Sequence, residues 1–303
     1  MRGGPAAQTG RALRRVPTSA IQPRFASARK RRLLGPPGSG KRAPPAPLGR
    51  RHRETAVTSA SPPGSSTATM SPPTSPPMTW VERGAGAVPG GGQGLRLYQK
   101  GGDFTITVGE TELMSDYLPG SERALATLAC ARLAGRRAPR VLIGGLGMGF
   151  TLRAALDALP ADAEVVVAEL VPAVAEWARG PLAHLFAGSL DDARVTLLLE
   201  DVVRTIQAGR ARYDAILLDV DNGPSGFVRR ANDRLYDRWG LRRARFALRP
   251  GGVLAVWSGR PDRRFKARLK REGFCVEEVR VRSGVTHGRR HVLWLAEPPA
   301  AAP

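Results

Sequence analysis

The chain has 303 residues, with 47 Lys and Arg against 26 Asp and Glu, for a net charge of +21. Fourteen of those bases precede the first acid, Glu54, so residues 1–80 carry +13 and the rest only +8, which excludes reading the whole chain as a nucleic-acid binder from its charge. Residues 1–80 also hold 14 of the 26 prolines and too little apolar periodicity to offset the entropy of ordering them.

Two cysteines, Cys130 and Cys275, exclude a disulfide scaffold and a cysteine-rich metal site, and read as reduced core residues of a cytoplasmic protein. No apolar run reaches the ~18–20 residues of a transmembrane helix, so no membrane association is expected. Residues 1–80 read as a basic, Pro/Ser/Gly-rich disordered tail. Three origins fit that composition: a mitochondrial-type transit peptide, a basic patch around Arg29-Lys30-Arg31-Arg32, or an upstream frame with true initiation at Met70 or Met78. Within it, Gly35 to Arg42 falls one residue short of a P-loop. Arg42 stands where Ser or Thr is needed, and neither the strand before nor the helix after can form, so it is not read as a phosphate site.

Residues 81–118 are expected to form a small β-hairpin region. Residues 95–99 and 104–108 alternate apolar and polar around the turn Lys100-Gly101-Gly102-Asp103, and Leu113-Met114 continues a small sheet. The remaining folded part, 119–298, opens with a helix that has Ser121 as N-cap and Glu122 in its first turn and ends at Gly135. Strands and helices then alternate: strand 140–144, helix 149–159, strand 164–169, helix from Pro172 to 178, strand 194–199, helix 202–207, strand 213–219, helix 233–248, strand 252–257 and helix 265–272. Strands 275–281 and 291–296, joined by a Gly/Arg-rich loop, close the pattern. The fold class is therefore α/β, doubly wound, with a mostly parallel sheet and an antiparallel edge.

In such sheets ligands sit beyond the carboxyl ends of the strands, at the point where the strand order reverses. Four features fall there. Gly145-Leu146-Gly147-Met148-Gly149 follows the first strand and opens a helix, permitting a tight turn and close approach of a ligand to backbone. Glu169 ends the next strand, where a carboxylate accepts hydrogen bonds from ribose hydroxyls. Asp201, with Val202 beside it, follows the third, where an acid receives an adenine amino group. Asp219 ends the fourth, over the centre of the cleft. Each acid alone also fits a helix cap or a solvated strand end; all four together point to a nucleoside. Phe150 stands where a dinucleotide fingerprint wants Gly or Ala, which favours a nucleoside other than NAD.

Residues 140–258 resemble the class I S-adenosylmethionine-dependent methyltransferase fold and, within it, the spermidine synthase-like (polyamine aminopropyltransferase) family. The resemblance rests on the stretch from Arg140 to Gly145, on Thr151-Leu152-Arg153, on Val166 to Glu169, on Tyr213-Asp214 with Asp219, and on Leu248 to Gly252. It implies that Gly145, Gly147, Met148, Gly149, Glu169, Asp201 and Val202 hold S-adenosylmethionine or its decarboxylated form as co-substrate. It also implies that Asp219 is the catalytic base for an attacking amine, with no metal involved. Met148 stands where the family has the Asp that anchors the aminopropyl ammonium. Asp219-Val220-Asp221-Asn222 replaces the family's Asp-Ser-Ser-Asp, making Asp221 and Asn222 the substrate candidates, and Gly120-Ser121-Glu122 replaces Tyr-His-Glu. Aminopropyl transfer to a small-molecule amine is the first expectation, methyl transfer to a small molecule the second, and non-catalytic nucleoside binding or an interaction role the third. A homodimer is expected and a nucleic-acid partner is not, because the basic stretch 263–271 reads as a solvated helix face. His287 and His291 lack a third ligand, so no metal is expected. Residues 222–232 read as a candidate lid.

Overall fold

Alternation of apolar and polar residues through 81–115 builds a four-stranded antiparallel sheet: β1 (Val81–Gly86), β2 (Leu95–Lys100), β3 (Asp103–Val108) and β4 (Thr111–Ser115), in that spatial order. In this computed structural model the described residues are 79–220, 223–224, 232–284 and 288–299. The tail with its P-loop-like stretch, Asp221 and Asn222, most of the 222–232 lid candidate and His287 lie outside the described residues. The small sheet exceeds the hairpin the sequence suggests, since β1 pairs with β2 on the far side.

Next in order come α1 (Gly120–Ala131), β5 (Arg140–Gly144), α2 (Phe150–Ala158), β6 (Glu164–Glu169), α3 (Pro172–Arg179), α4 (Ala183–Phe186), β7 (Val195–Leu199) and α5 (Val202–Gln207). The chain continues through β8 (Tyr213–Leu218), α6 (Asp233–Tyr236), α7 (Arg238–Ala247), β9 (Leu248–Ser258), α8 (Arg263–Arg271), β10 (Cys275–Arg282) and β11 (Arg290–Glu297). The main sheet runs β10-β11-β9-β8-β5-β6-β7. Its centre is parallel, and β11 joins β9 and β10 antiparallel.

The period-2 side-chain alternation of a strand distributes β5 between two cores. Val141 and Ile143 face α1, α2, α3 and the small sheet, whereas Leu142 faces α5, α7 and α8. That is the doubly wound arrangement. All six residues of β8 are buried, as expected of a strand covered on both faces. At its start, Asp214 accepts from Arg136 at 2.5 Å, Arg249 at 2.7 Å and the Arg140 backbone N–H at 2.8 Å. Residues that carried part of the family resemblance thus pin the amino end of the sheet. Among the described residues, no helix is long and apolar enough to cross a membrane.

Three local expectations are corrected. Ser121 is not the N-cap of α1; Pro119 holds that place, and the buried Ser121 hydroxyl donates to Glu122 at 2.7 Å. The helix expected over 233–248 is two helices, because Asp237 turns extended (ψ 176°) and its carboxylate accepts from the Gly240 N–H at 2.8 Å, capping α7. A Cβ on Gly240 would meet the Arg234 carbonyl at 2.0 Å, so the turn depends on the glycine. Cys275 is exposed rather than in the core: it starts the edge strand β10, where alternation aims it outward. Cys130 is buried, and burial pushes its thiol up to about 12.

Candidate active site

The strand order reverses between β5, which is followed in space by β6 and β7, and β8, which is followed by β9. The carboxyl ends of β5 and β8 lie in register there: Gly144 pairs with Leu218, and the Asp219 N–H donates to the Gly144 carbonyl at 3.0 Å. On the other side, Gly144 pairs with Ala168, and Glu169 with Leu199 of β7. The sheet therefore lines up the glycine loop, Glu169, the residues after β7 and Asp219 along one rim. They open into a cleft of about 1140 Å³ including its mouth.

Close approach explains the first glycine. Gly145 adopts φ +91°, and a Cβ on it would lie 2.5 Å from the Asp219 carbonyl, so any side chain would push β5 and β8 apart. Gly145 and Gly147 line the cleft; Met148 and Gly149 do not. The Met148 side chain is fully buried in the core, and a Cβ on Gly149 would strike the Phe186 ring at 2.5 Å. The Met148 side chain and the close approach of Gly149 to Phe186 serve packing of the loop and α2.

Glu169 is buried and braces the rim. One oxygen accepts from the Leu146 N–H and the other from the Val171 N–H, both at 2.8 Å. Burial pushes its carboxyl above the usual range, and these backbone hydrogen bonds oppose that rise. The backbone N–H groups of Leu170 and Gly147 also favour its charged form. Asp201 caps α5 by accepting from the Val203 N–H at 2.9 Å and still lines the cleft with Val202. Its capping and ligand-facing readings are therefore compatible.

Asp219 accepts from the Thr151 hydroxyl at 2.6 Å. Burial first, and then the nearby Glu122 carboxylate, push it up to about 7, against the Thr151 bond that favours the charged form. Glu122 is likewise raised, by burial, with the Ser121 hydroxyl opposing. The sequence reading placed Glu122 only in a first helical turn; packing of the α1 start against the rim brings it into the cleft. The available signal was its survival at the last position of the family's Tyr-His-Glu. The opposite wall comes from the small sheet, including Leu95, Ile106 and Met114, and Trp257 at the end of β9 closes the floor. Among the described residues, the four ionisable side chains lining the cleft are all acids: Glu122, Glu169, Asp201 and Asp219. Among the described residues no group of three His, Cys, Asp or Glu could hold a metal ion.

A seven-stranded sheet of this order, with glycine loop and acids at its switch point, defines a class I methyltransferase fold. Two solved structures share it: a spermidine synthase from Thermotoga maritima and a spermidine synthase in complex with the transition-state analogue AdoDATO. Each has a TM-score of 0.58 and covers 74% of this chain and 75% of the other, at 16% and 17% identity respectively. No known family profile matches the chain. Over 124 residues, 40% of this chain, it is 34% identical to the polyamine aminopropyltransferase of Mycobacterium tuberculosis H37Rv, covering 23% of that protein. Over 120 residues, 39% of this chain, it is 37% identical to putrescine N-methyltransferase 2 of Nicotiana attenuata, covering 30% of that protein. The matched segment thus spans less than a third of either relative. The chain thus shares the class I fold with these spermidine synthases, and over the matched segment it is similar to polyamine aminopropyltransferases and putrescine N-methyltransferases.

Proposed function

We propose that the cleft binds decarboxylated S-adenosylmethionine and transfers its aminopropyl group to a small amine. The observation that carries this reading is the charge of the lining: among the described residues it holds four acids and no Lys, Arg or His, in a chain of net charge +21. Decarboxylated S-adenosylmethionine presents a sulfonium and an ammonium, and the acceptor amine adds another cation. A lining of carboxylates attracts all three and disfavours the carboxylate of ordinary S-adenosylmethionine.

In this reading Glu169 accepts from the ribose hydroxyls, Asp201 from the adenine amino group, and Val202 packs on the base. Backbone at Gly145 and Gly147 allows the nucleoside close to the loop. Glu122 and Asp219 receive the acceptor ammonium. Once that ammonium has given up a proton, the freed nitrogen lone pair attacks the carbon bonded to sulfur: the C–N bond forms and the C–S pair returns to sulfur, giving a neutral thioether. The proton lost from nitrogen passes to Asp219, whose value near 7 suits a base working at neutral pH. The positive sulfur is already a good leaving group, so the protein's share is orientation and proton removal. Met148 leaves the family's ammonium anchor unfilled, and the Glu122–Asp219 pair takes over that charge. Asp221 and Asn222 are retained as acceptor contacts within this proposal.

Methyl transfer from ordinary S-adenosylmethionine is the second reading, favoured by the likeness to putrescine N-methyltransferase. Both named relatives act on amines, so the acceptor class is common to the two. Calorimetric titration with each nucleoside separates them. The first reading expects the decarboxylated form to bind at least tenfold more tightly; tighter binding of the carboxylated form supports methyl transfer; binding of neither defeats both.

A further inference from the structure

Positive charge in the folded part is not spread evenly. Residues 233–272 contain thirteen Lys and Arg against four Asp and Glu, a net +9, which exceeds the +8 of all residues after 80. This segment holds α7 and α8, adjacent on one face of the main sheet. Arg242 pairs with Glu272 at 2.7 Å, and Arg245 donates to the Glu272 carbonyl at 3.2 Å. Six of the nine residues of α8 are Lys or Arg. Arg238 of α7 shares one groove with Arg268 and Arg271 of α8, where Asp233, Asp237 and Glu272 balance them, so the excess charge lies on the outward Arg243, Arg263, Arg264 and Lys270.

Aromatic rings stand among these cations. Trp239 is 60% exposed and Phe246 65% exposed, the two most exposed large apolar side chains among the described residues. Seven residues apart, they lie two turns along one side of α7, separated by about 10 Å at 1.5 Å per residue. The guanidiniums of Arg238 and Arg242 lie 4.9 and 5.6 Å from the Trp239 ring centroid. The face of α7 turned to the sheet, Leu241, Ala244 and Ala247, is buried.

We infer that the α7–α8 face binds single-stranded nucleic acid, with Lys and Arg on the phosphates and Trp239 and Phe246 stacked against bases. The inference stands apart from the proposed transfer chemistry. A polyanion fits the charge, and flat exposed rings among cations add the element that phosphate attraction alone does not need. The ring separation spans about three steps of a stacked strand at about 3.4 Å each. A duplex hides its base faces from such rings. An anionic membrane is disfavoured because a helix lying in the interface buries its apolar face in lipid, and that face of α7 already serves the core.

The test uses the full chain, so that the basic tail contributes equally throughout, and a fluorescein-labelled 15-residue oligo(dT) read by anisotropy. Trp239→Ala combined with Phe246→Ala should weaken binding at least fivefold, as loss of base stacking does. Trp239→Phe should keep affinity within about threefold, and Arg243→Ala with Lys270→Ala should flatten the salt dependence. An unchanged Kd in the double alanine variant, equal affinity for a 15-base-pair duplex, equal competition by polyglutamate, or binding to phosphatidylglycerol vesicles but not to oligo(dT) each overturns the inference.

Discussion

Two aspartates five residues apart, at opposite ends of β8, show how this sheet separates structure from chemistry. Asp214 is surrounded by counter-ions: two guanidiniums and a backbone N–H saturate it. Asp219 meets one hydroxyl and a neighbouring carboxylate, and rises to about 7. A buried acid satisfied by cations contributes to the fold, while one left beside another acid destabilises the empty protein and awaits a cation. The lesson is that burial does not identify the reactive carboxylate; the company it keeps does.

Substitutions should expose that difference. The largest effect belongs to Asp219→Asn, which removes the base and should lower the transfer rate at saturating nucleoside by about 10²–10⁴-fold. Asp214→Ala should instead destabilise the fold by about 3 kcal/mol, because two partly exposed guanidiniums lose their buried partner, and urea unfolding reads it. Glu169→Gln keeps shape but loses a charged acceptor, so nucleoside binding should weaken by about 10–100-fold, equivalent to ~1.5–3 kcal/mol.

A smaller effect concerns pH. The folded value of Asp219, about 7, lies above its unfolded value of 3.8, so the folded protein holds an extra proton between them. The stabilisation linked to that proton is full below about pH 4 and is lost as pH rises through 7. Asp219→Asn should therefore melt higher than the parent at pH 8 and close to it near pH 4. Transfer should run the other way, rising as Asp219 loses its proton. Removing the like charge in Glu122→Gln should move the midpoint of that rise to lower pH, measured as a rate profile.

Much of this was legible in the sequence, for identifiable reasons. Continuous apolar runs such as Val165-Val166-Val167 mark strands covered on both faces, and strand ends mark the rim, so Glu169 and Asp219 could be placed before any coordinates. Side-chain direction within a tight turn carries no periodic signal, so the burial of the Met148 side chain and the close approach of Gly149 to Phe186 are not legible there. Glu122 reaches the cleft through tertiary packing of α1, which helical periodicity does not announce; its place at the end of the stretch matching Tyr-His-Glu is the one signal the sequence carries. The break at Asp237 was hidden because the residues on both sides keep a helical pattern, and only the close turn at Gly240 forces two helices. Exposure of Trp239 and Phe246 was equally hidden, since an apolar residue in a helix reads as core until its neighbours are known.

The most direct measurement is proton release on binding. Titrating the protein with decarboxylated S-adenosylmethionine at pH 6.5, in two buffers of different ionisation enthalpy, counts protons exchanged. A cationic ligand settling between Glu122 and Asp219 should lower both carboxyls and expel about one proton, and Asp219→Asn should abolish most of that release. Tight binding with no proton released, in parent and variant alike, would contradict the assignment of these carboxylates to the ligand's positive charge.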